Sequence, residues 1–454
     1  MKAARVALIC LALAACAPPA AESPAQRAVA LQPLPPMKLF GPTRATPPQR
    51  SNPEMARDFI DLSFRLESGR VLDRFTRFER PVTVTMKGAI PPTAPQDLAR
   101  VTGRLRAEAG LDVTVVPRGP AAITIEFLPR ARLQRLVPEA ACYVVPNVSS
   151  FVEYRSARRS DRVAWRNLTE RVQVAIFVPS DTSAQEVRDC LNEELAQALG
   201  PLNDLYRLSD SVFNDDNFHG VLTGFDMLML RAHYAPELAN GMTQAEVAAR
   251  LPAILARLNP AGQRKGPPPA APTPPEWMAA VQAALGPRGT SATRRAGAQT
   301  AVEIAAAEGW TDARTGFSLF ALGRLTLADE MDLSLTALSQ AAAIYRRLPD
   351  AAIHVAHIDM QVAALAMSGG QADAALLLVD RAIPAARAAE NAALLASLLL
   401  VKAEAMLLLN RLPEAEALRL DSLGWAQYGF GTEAQVRARM SAITILSPGP
   451  EGGR

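Results

Sequence analysis

Histidine is scarce in this chain. Of 454 residues only four are histidine, so an imidazole-based metal site or proton relay could draw on His219, His233, His354 and His357 alone. No G-x-S-x-G elbow, Walker loop or G-x-G-x-x-G fingerprint occurs, which removes the strained nucleophile turn and the glycine-rich phosphate cradles. Nucleotide is therefore not an expected partner. Neither sign of charge dominates: 48 Lys and Arg face 45 Asp and Glu, a net charge of +3. That is too little to point to nucleic acid or an anionic surface. Nearly all the positive charge is arginine. Arg155, Arg158, Arg159, Arg162, Arg166 and Arg171 cluster without any nucleic-acid motif and read as a solvated loop and strand edge. Long apolar runs are missing too. Residues 6–15 fall short of the roughly 20 needed to span a bilayer. Residues 391–410 are interrupted by Lys402 and Glu404 and read as core. With hydrophobic content of 49% and charged content of 20%, the rest is globular, and the length fits two or three domains.

What is present begins with Lys2 and Arg5, the short apolar run, and Leu13-Ala14-Ala15-Cys16. This pattern resembles the signal peptide and lipobox of bacterial lipoproteins. The resemblance implies that residues 1–16 are the signal and that Cys16 becomes a lipidated N-terminus anchoring the chain to a membrane. Ala17 stands where an inner-membrane protein of that class carries aspartate, so the expected location is the cell envelope, at the outer membrane facing the periplasm. The alternative is an ordinary cleaved signal with a chance cysteine. On the lipoprotein reading Cys10 leaves with the signal and Cys16 takes lipid, so Cys142 and Cys190 remain. In an oxidising compartment they are expected to form a disulfide; two buried free thiols are the other possibility.

Proline divides the remainder. Residues 17–51 hold nine prolines and predict a disordered tether; residues 260–275 hold seven and predict a linker. Residues 52–259 between them alternate in type. Helices are predicted at 53–66 and 95–109, and strands at 82–86, 122–127, 141–145 and 172–178. Ser183-Ala184-Gln185-Glu186 reads as a capping box. It opens a helix with Val187, Leu191, Leu195 and Ala198 on one face, ending at Gly200-Pro201.

That last helix carries Glu193-Glu194-Leu195-Ala196-Gln197-Ala198-Leu199-Gly200-Pro201-Leu202-Asn203. The segment resembles the zinc-protease motif H-E-x-x-H-x-x-G-x-x-H with its histidines replaced by Glu193, Gln197 and Asn203. Glu194 and Gly200 match the catalytic glutamate and the turn glycine. Together with Cys190-Leu191-Asn192, Asp210-Ser211-Val212-Phe213-Asn214-Asp215-Asp216, Leu222-Thr223-Gly224-Phe225-Asp226 and Gly241-Met242-Thr243, it resembles a domain-of-unknown-function family of secreted bacterial proteins, itself similar to the zincin metallopeptidases. The resemblance implies a zincin-like α+β domain over 52–259. It makes Glu193, Gln197 and Asn203 the metal-ligand candidates and Glu194 the catalytic candidate. A carboxylate and two amides hold zinc poorly and suit calcium better, and without a Lewis acid Glu194 has no water to activate. Calcium could instead draw on Asp204, Asp210, Asn214, Asp215 and Asp216, whose spacing is not that of an EF-hand. The expected role of the three ligand positions is a hydrogen-bonded network joining the helix to the next loop, with no cofactor. A cleft that binds peptide without cutting, and true hydrolysis with zinc or calcium, are the alternatives. His219 and His233 could supply a displaced ligand but read as core or surface.

Residues 276–447 read as helix throughout, with 448–454 as a disordered tail. Gly370-Gln371-Ala372-Asp373-Ala374-Ala375-Leu376 and Asn410-Arg411-Leu412-Pro413-Glu414-Ala415 occupy equivalent places, and Asp332-Leu333-Ser334-Leu335-Thr336-Ala337-Leu338 is a weaker copy. This resembles the tetratricopeptide repeat; a plain helical bundle is the alternative. Stacked helix pairs present a groove for a protein or peptide partner. The expected whole is an α+β zincin-like domain followed by an all-α tetratricopeptide-like domain, acting as a non-catalytic envelope scaffold. A metallopeptidase-like hydrolase with an atypical site is the second reading.

Overall fold

The structure, a computed structural model, describes residues 33–41, 46–138, 140–286 and 288–444. The expected signal with Cys16, much of the expected tether and the expected tail at 448–454 lie outside them.

Five strands form one mixed sheet: β1 (Val82–Gly88), β2 (Val113–Val115), β3 (Ile123–Leu128), β4 (Tyr143–Pro146) and β5 (Val174–Pro179). Their order is β2-β1-β3-β5-β4. Every pair is parallel except β4 with β5. The region is thus α/β in character, with the helical segment 94–109 carrying the chain from β1 to its parallel neighbour β2. β5 is buried along its whole length, and its alternate residues serve two faces. Val174, Ile176 and Val178 pack on the side of α5 (Ala184–Leu199) with Val187, Leu191 and Leu195. Ala175 and Phe177 join Leu133, Val148 and Phe151 on the other side. The predicted helix at 95–109 is α2 (Ala94–Arg104) continued by one π-helical turn (Leu105–Ala109). The expected capping box is half formed. Ser183 accepts from Glu186 N at 3.1 Å, whereas the Glu186 carboxylate turns to Thr182 and Arg130. The three-residue strand β2 gave no sequence signal, being short with two of its residues exposed.

Cys142 and Cys190 form a disulfide, Cα–Cα 6.0 Å, joining the approach to edge strand β4 with α5. The other helices here are α1 (Asn52–Ser63), α3 (Arg130–Leu133), α4 (Phe151–Ala157), α6 (Gly224–His233) and α7 (Gln244–Leu258).

The C-terminal region is all helical: α8 (Pro275–Leu285), α9 (Ser291–Ala307), α10 (Ala313–Thr326), α11 (Met331–Tyr345), α12 (Ala352–Ser368), α13 (Ala372–Ala388), α14 (Ala392–Leu408), α15 (Leu412–Phe430) and α16 (Glu433–Thr444). Each packs on the one before it, and α14 also touches α12 and α16. Three of the turns between helices share one geometry. Gly370, Glu390 and Asn410 each adopt positive φ just beyond a helix. The following N–H of Gln371, Asn391 and Arg411 reaches back to Ala366 O, Ala386 O and Met406 O, each at 2.9 Å. This is one Schellman turn used three times at even spacing. No helix among the described residues is long and apolar enough to cross a membrane.

The linker and tether expectations need correction. Residues 260–275 are strapped down, with Arg57 donating to Pro267 O at 3.0 Å and Arg314 to Ala271 O at 2.8 Å. Within the tether, Lys38 N donates to Gly424 O at 2.9 Å, Phe40 stacks on Trp425 at 4.5 Å, and Arg50 is buried against Asp210. Proline content signals an extended chain. It does not signal a free one, because an already stiff segment loses little entropy on docking.

The two regions also share a core. Phe218, from the loop after α5, lies among the buried residues of the helical region, against Phe320 (5.3 Å) and His354 (4.4 Å). Tyr206 packs on Trp277 and Phe317. Asp216 meets His354 Nε2 at 2.9 Å, and Arg188 donates to Glu390 O at 2.7 Å. Phe218→Ala should therefore destabilise both regions together, by about 3 kcal/mol, seen as one shifted transition in urea monitored by circular dichroism. Cys142→Ser should cost about 4 kcal/mol in the loop-entropy account, measured the same way.

Candidate functional site

The site begins with what ends α5. Arg171 is buried and donates to Gln197 O and Ala198 O, each at 2.8 Å, and to Gly200 O. A cation on the last carbonyls complements the helix dipole. This corrects the reading of Arg171 as solvated; the other five arginines of its cluster are exposed. Gly200 is needed for close approach, since a Cβ there would lie 3.1 Å from the His233 ring.

None of the histidines joins the motif. His233 is buried against Phe75 at 4.3 Å, and its Nε2 donates to Thr76 O at 3.1 Å. Burial, then Arg171 and Arg77, hold it well below the usual imidazole range. His219 donates from Nε2 to Ser209 O at 3.1 Å, and its ring stands 5.7 Å from that of His354. His357 lies 4.8 Å from Phe218. Three of the four histidines thus meet around Phe218 at the junction of the two regions. Their distance in sequence concealed this.

The motif positions are otherwise engaged. Gln197 Nε2 donates to Asp204 Oδ2 at 3.3 Å. Asn203 Nδ2 donates to Asp61 O at 3.0 Å, which ties the post-helix loop to α1. The residue brought beside Gln197 is therefore Asp204, with Asn203 turned toward α1. Glu194 is 4% exposed, and its Oε2 has no hydrogen-bond partner. Glu193 is partly exposed.

Around them gathers a set of carboxylates. Burial first, then Asp215, Glu67 and Asp189, push Glu193 up to about 8. Burial and the neighbours Glu193 and Glu67 hold Glu194 well above the carboxylate range. Asp204 is raised in the same way, by burial and then Glu67, Glu193 and Asp215. Burial and Asp215 raise Glu67. The shift favours the protonated form of Glu194. Glu67, in the loop after α1, had no sequence signal linking it to α5.

The calcium candidates are scattered. Asp210 is held by Arg50 at 2.9 and 3.0 Å. Asp216 bonds Asn214 and His354. Only Asp204 and Asp215 face the motif. Among the described residues no group of three or more His, Cys, Asp or Glu is arranged to hold a metal ion. A cavity of about 240 Å³ adjoins Glu67 and Asp204, and its lining also includes Asn203, Tyr206, Arg65 and Arg207.

Residues 52–253 match the family described as Protein of unknown function (DUF2927). The DUF2927 match runs from α1 into α7 and contains the motif helix, the disulfide and every carboxylate of the cluster. The helical region lies beyond it. No curated protein and no solved structure matches the chain.

The raised Glu193 predicts a pH dependence. Between about 4.5 and about 8 the unfolded side chain has lost its proton while the folded one keeps it. The folded state binds more protons there, so stability falls as pH rises through that window. Urea midpoints should drop from pH 5 to pH 8, and Glu193→Gln should flatten the slope.

Proposed function

We propose that this chain is a lipid-anchored protein of the cell envelope, at the outer membrane facing the periplasm, that binds a protein partner without cutting it. Its DUF2927 region is a zincin-like domain whose metal positions have become joints. The observation that carries this reading is the use of those positions: Gln197 is engaged with Asp204 and Asn203 with Asp61 O, while the imidazoles sit elsewhere. Both bonds are donated by the amide nitrogens, which tie each side chain to a neighbour, and neutral amide oxygens are weak ligands for a Lewis-acid cation. The mixed sheet backed by α5 supports the zincin-like reading, and the disulfide suits an oxidising compartment.

The helical region serves as a tetratricopeptide-like holder. A cavity of about 680 Å³ lies between α11, α12 and α13, lined by Leu338, Ile358, Val362 and Leu378, with the Asp359–Arg381 pair (2.7 Å) among its lining residues. A trough that mixes these apolar side chains with Thr336, Ser339, Gln340, Arg346 and the ion pair suits an amphipathic segment of a partner protein. The inner loop 204–219 of the same chain already occupies another face of this stack, which supports a protein-binding role for such surfaces.

Glu194→Gln should leave partner capture and cellular function unchanged, and purified protein should leave unstructured substrates such as casein intact. One tightly held zinc per chain with chelator-sensitive cleavage overturns the binding reading. Cys16→Ser should move the protein from the membrane to the soluble fraction.

A further inference from the structure

The small net charge of the whole chain hides a local segregation. The sheet face opposite α5 is covered by α3, α4 and the 3₁₀ turn Asp161–Val163. Leu133 and Leu136, Phe151 and Tyr154, and Val163 all turn inward there, onto Ala175 and Phe177 of β5. The outer sides of the three elements therefore share one surface, and the Arg132 guanidinium bridges two of them, 5.1 Å from the Phe151 ring. Residues 130–136 and 151–163, which carry these elements, hold seven arginines against two acids, Glu153 and Asp161. That local excess is larger than the +3 of the entire chain, so the remainder is slightly acidic. Both acids are already engaged. Glu153 takes Arg162 and Ser149 N, and Asp161 takes Arg166 at 3.6 Å. Arg130 turns to Glu186. Arg132, Arg135, Arg155, Arg158 and Arg159 are all exposed, with no ion partner among the described residues.

We propose that this arginine face seats against an anionic phospholipid surface. A guanidinium pairs a phosphate through two parallel hydrogen bonds, and headgroups spread over a plane can meet five of them at once. Val152 is 54% exposed and lies three residues before Arg155 on α4, which places an aliphatic side chain beside the cations at the headgroup boundary. Nucleic acid is the poorer match. Single strands need open aromatic platforms, and the rings here are covered, Tyr154 by Tyr143 and Phe177, Trp165 by Arg171. The five arginines stand on the outside of short elements and line neither cavity described above, so they offer no groove to an acidic peptide. Each basic residue at an anionic surface raises partition roughly fivefold, and the field fades within about 8 Å at physiological salt. Stable anchoring takes two signals, so this face by itself orients a chain and leaves it exchangeable. It lies across the sheet from the motif helix and does not depend on the partner-binding reading.

The test uses the full chain with Cys16→Ser, which has no acceptor for lipid, so the anchor reading is tested separately. Co-sedimentation is measured with vesicles of phosphatidylcholine containing about 30% phosphatidylglycerol and with phosphatidylcholine alone, at about 20 mM and about 0.5 M sodium chloride. The protein should pellet with the anionic vesicles at low salt, stay free of the neutral ones, and be released at high salt. Arg155→Glu, Arg158→Glu and Arg159→Glu combined should weaken binding at least tenfold. The same three positions changed to lysine should retain it, because charge carries the effect. Both variants should melt with the parent, since these side chains are exposed and without ion partners. Arg346→Glu with Arg347→Glu, in the helical region, should leave vesicle binding within about twofold. No binding, equal binding to neutral vesicles, an unchanged glutamate variant, or equal loss in the lysine variant overturns the proposal. Tighter binding to polyglutamate or to duplex DNA than to the anionic vesicles overturns the choice of a lipid surface.

Discussion

The chain beyond α5 is constrained from two sides. Upstream, Arg171 fixes the last carbonyls of the helix and Gly200 admits the His233 ring. Downstream, Tyr206 and Phe218 are buried in the helical region and Asp216 is held by His354. Asn203 and Asp204 lie between these anchors, so their directions follow from packing that neither residue controls. The site is rigid because its loop is part of another region's core.

The electrostatics follow from the same constraint. Arginine is abundant, and buried acids across the chain are offset by it through short, often paired contacts. While its own Arg207 is turned to Asp58 and Asp61, the post-helix loop sets Asp204 and Asp215 in the field of Glu193. Their burial raises each carboxyl, and mutual repulsion raises it further.

Much of the architecture was legible in local patterns. Strand alternation located β1, β3, β4 and β5 within a few residues, and the Ser183 cap with Gly200-Pro201 bounded α5. The cysteine pair was legible once the compartment was inferred. β2 was missed because three residues carry no periodicity. The proline segments were misjudged because composition reports stiffness and says nothing of what the segment rests on. Arg171 was misjudged because an arginine among exposed arginines shows no sign of the three carbonyls it will meet.

By itself the sequence determined which stretches are helix or strand, where the cysteines can pair, and that the motif helix lacks imidazoles; these depend on residue type and short spacing. Tertiary structure alone decided that Glu67 and Asp215 join Glu193 and Glu194, that Asp204 faces Gln197 in place of Asn203, and that three histidines gather on Phe218. Such meetings are set by packing between elements far apart in the chain, and no local spacing encodes them.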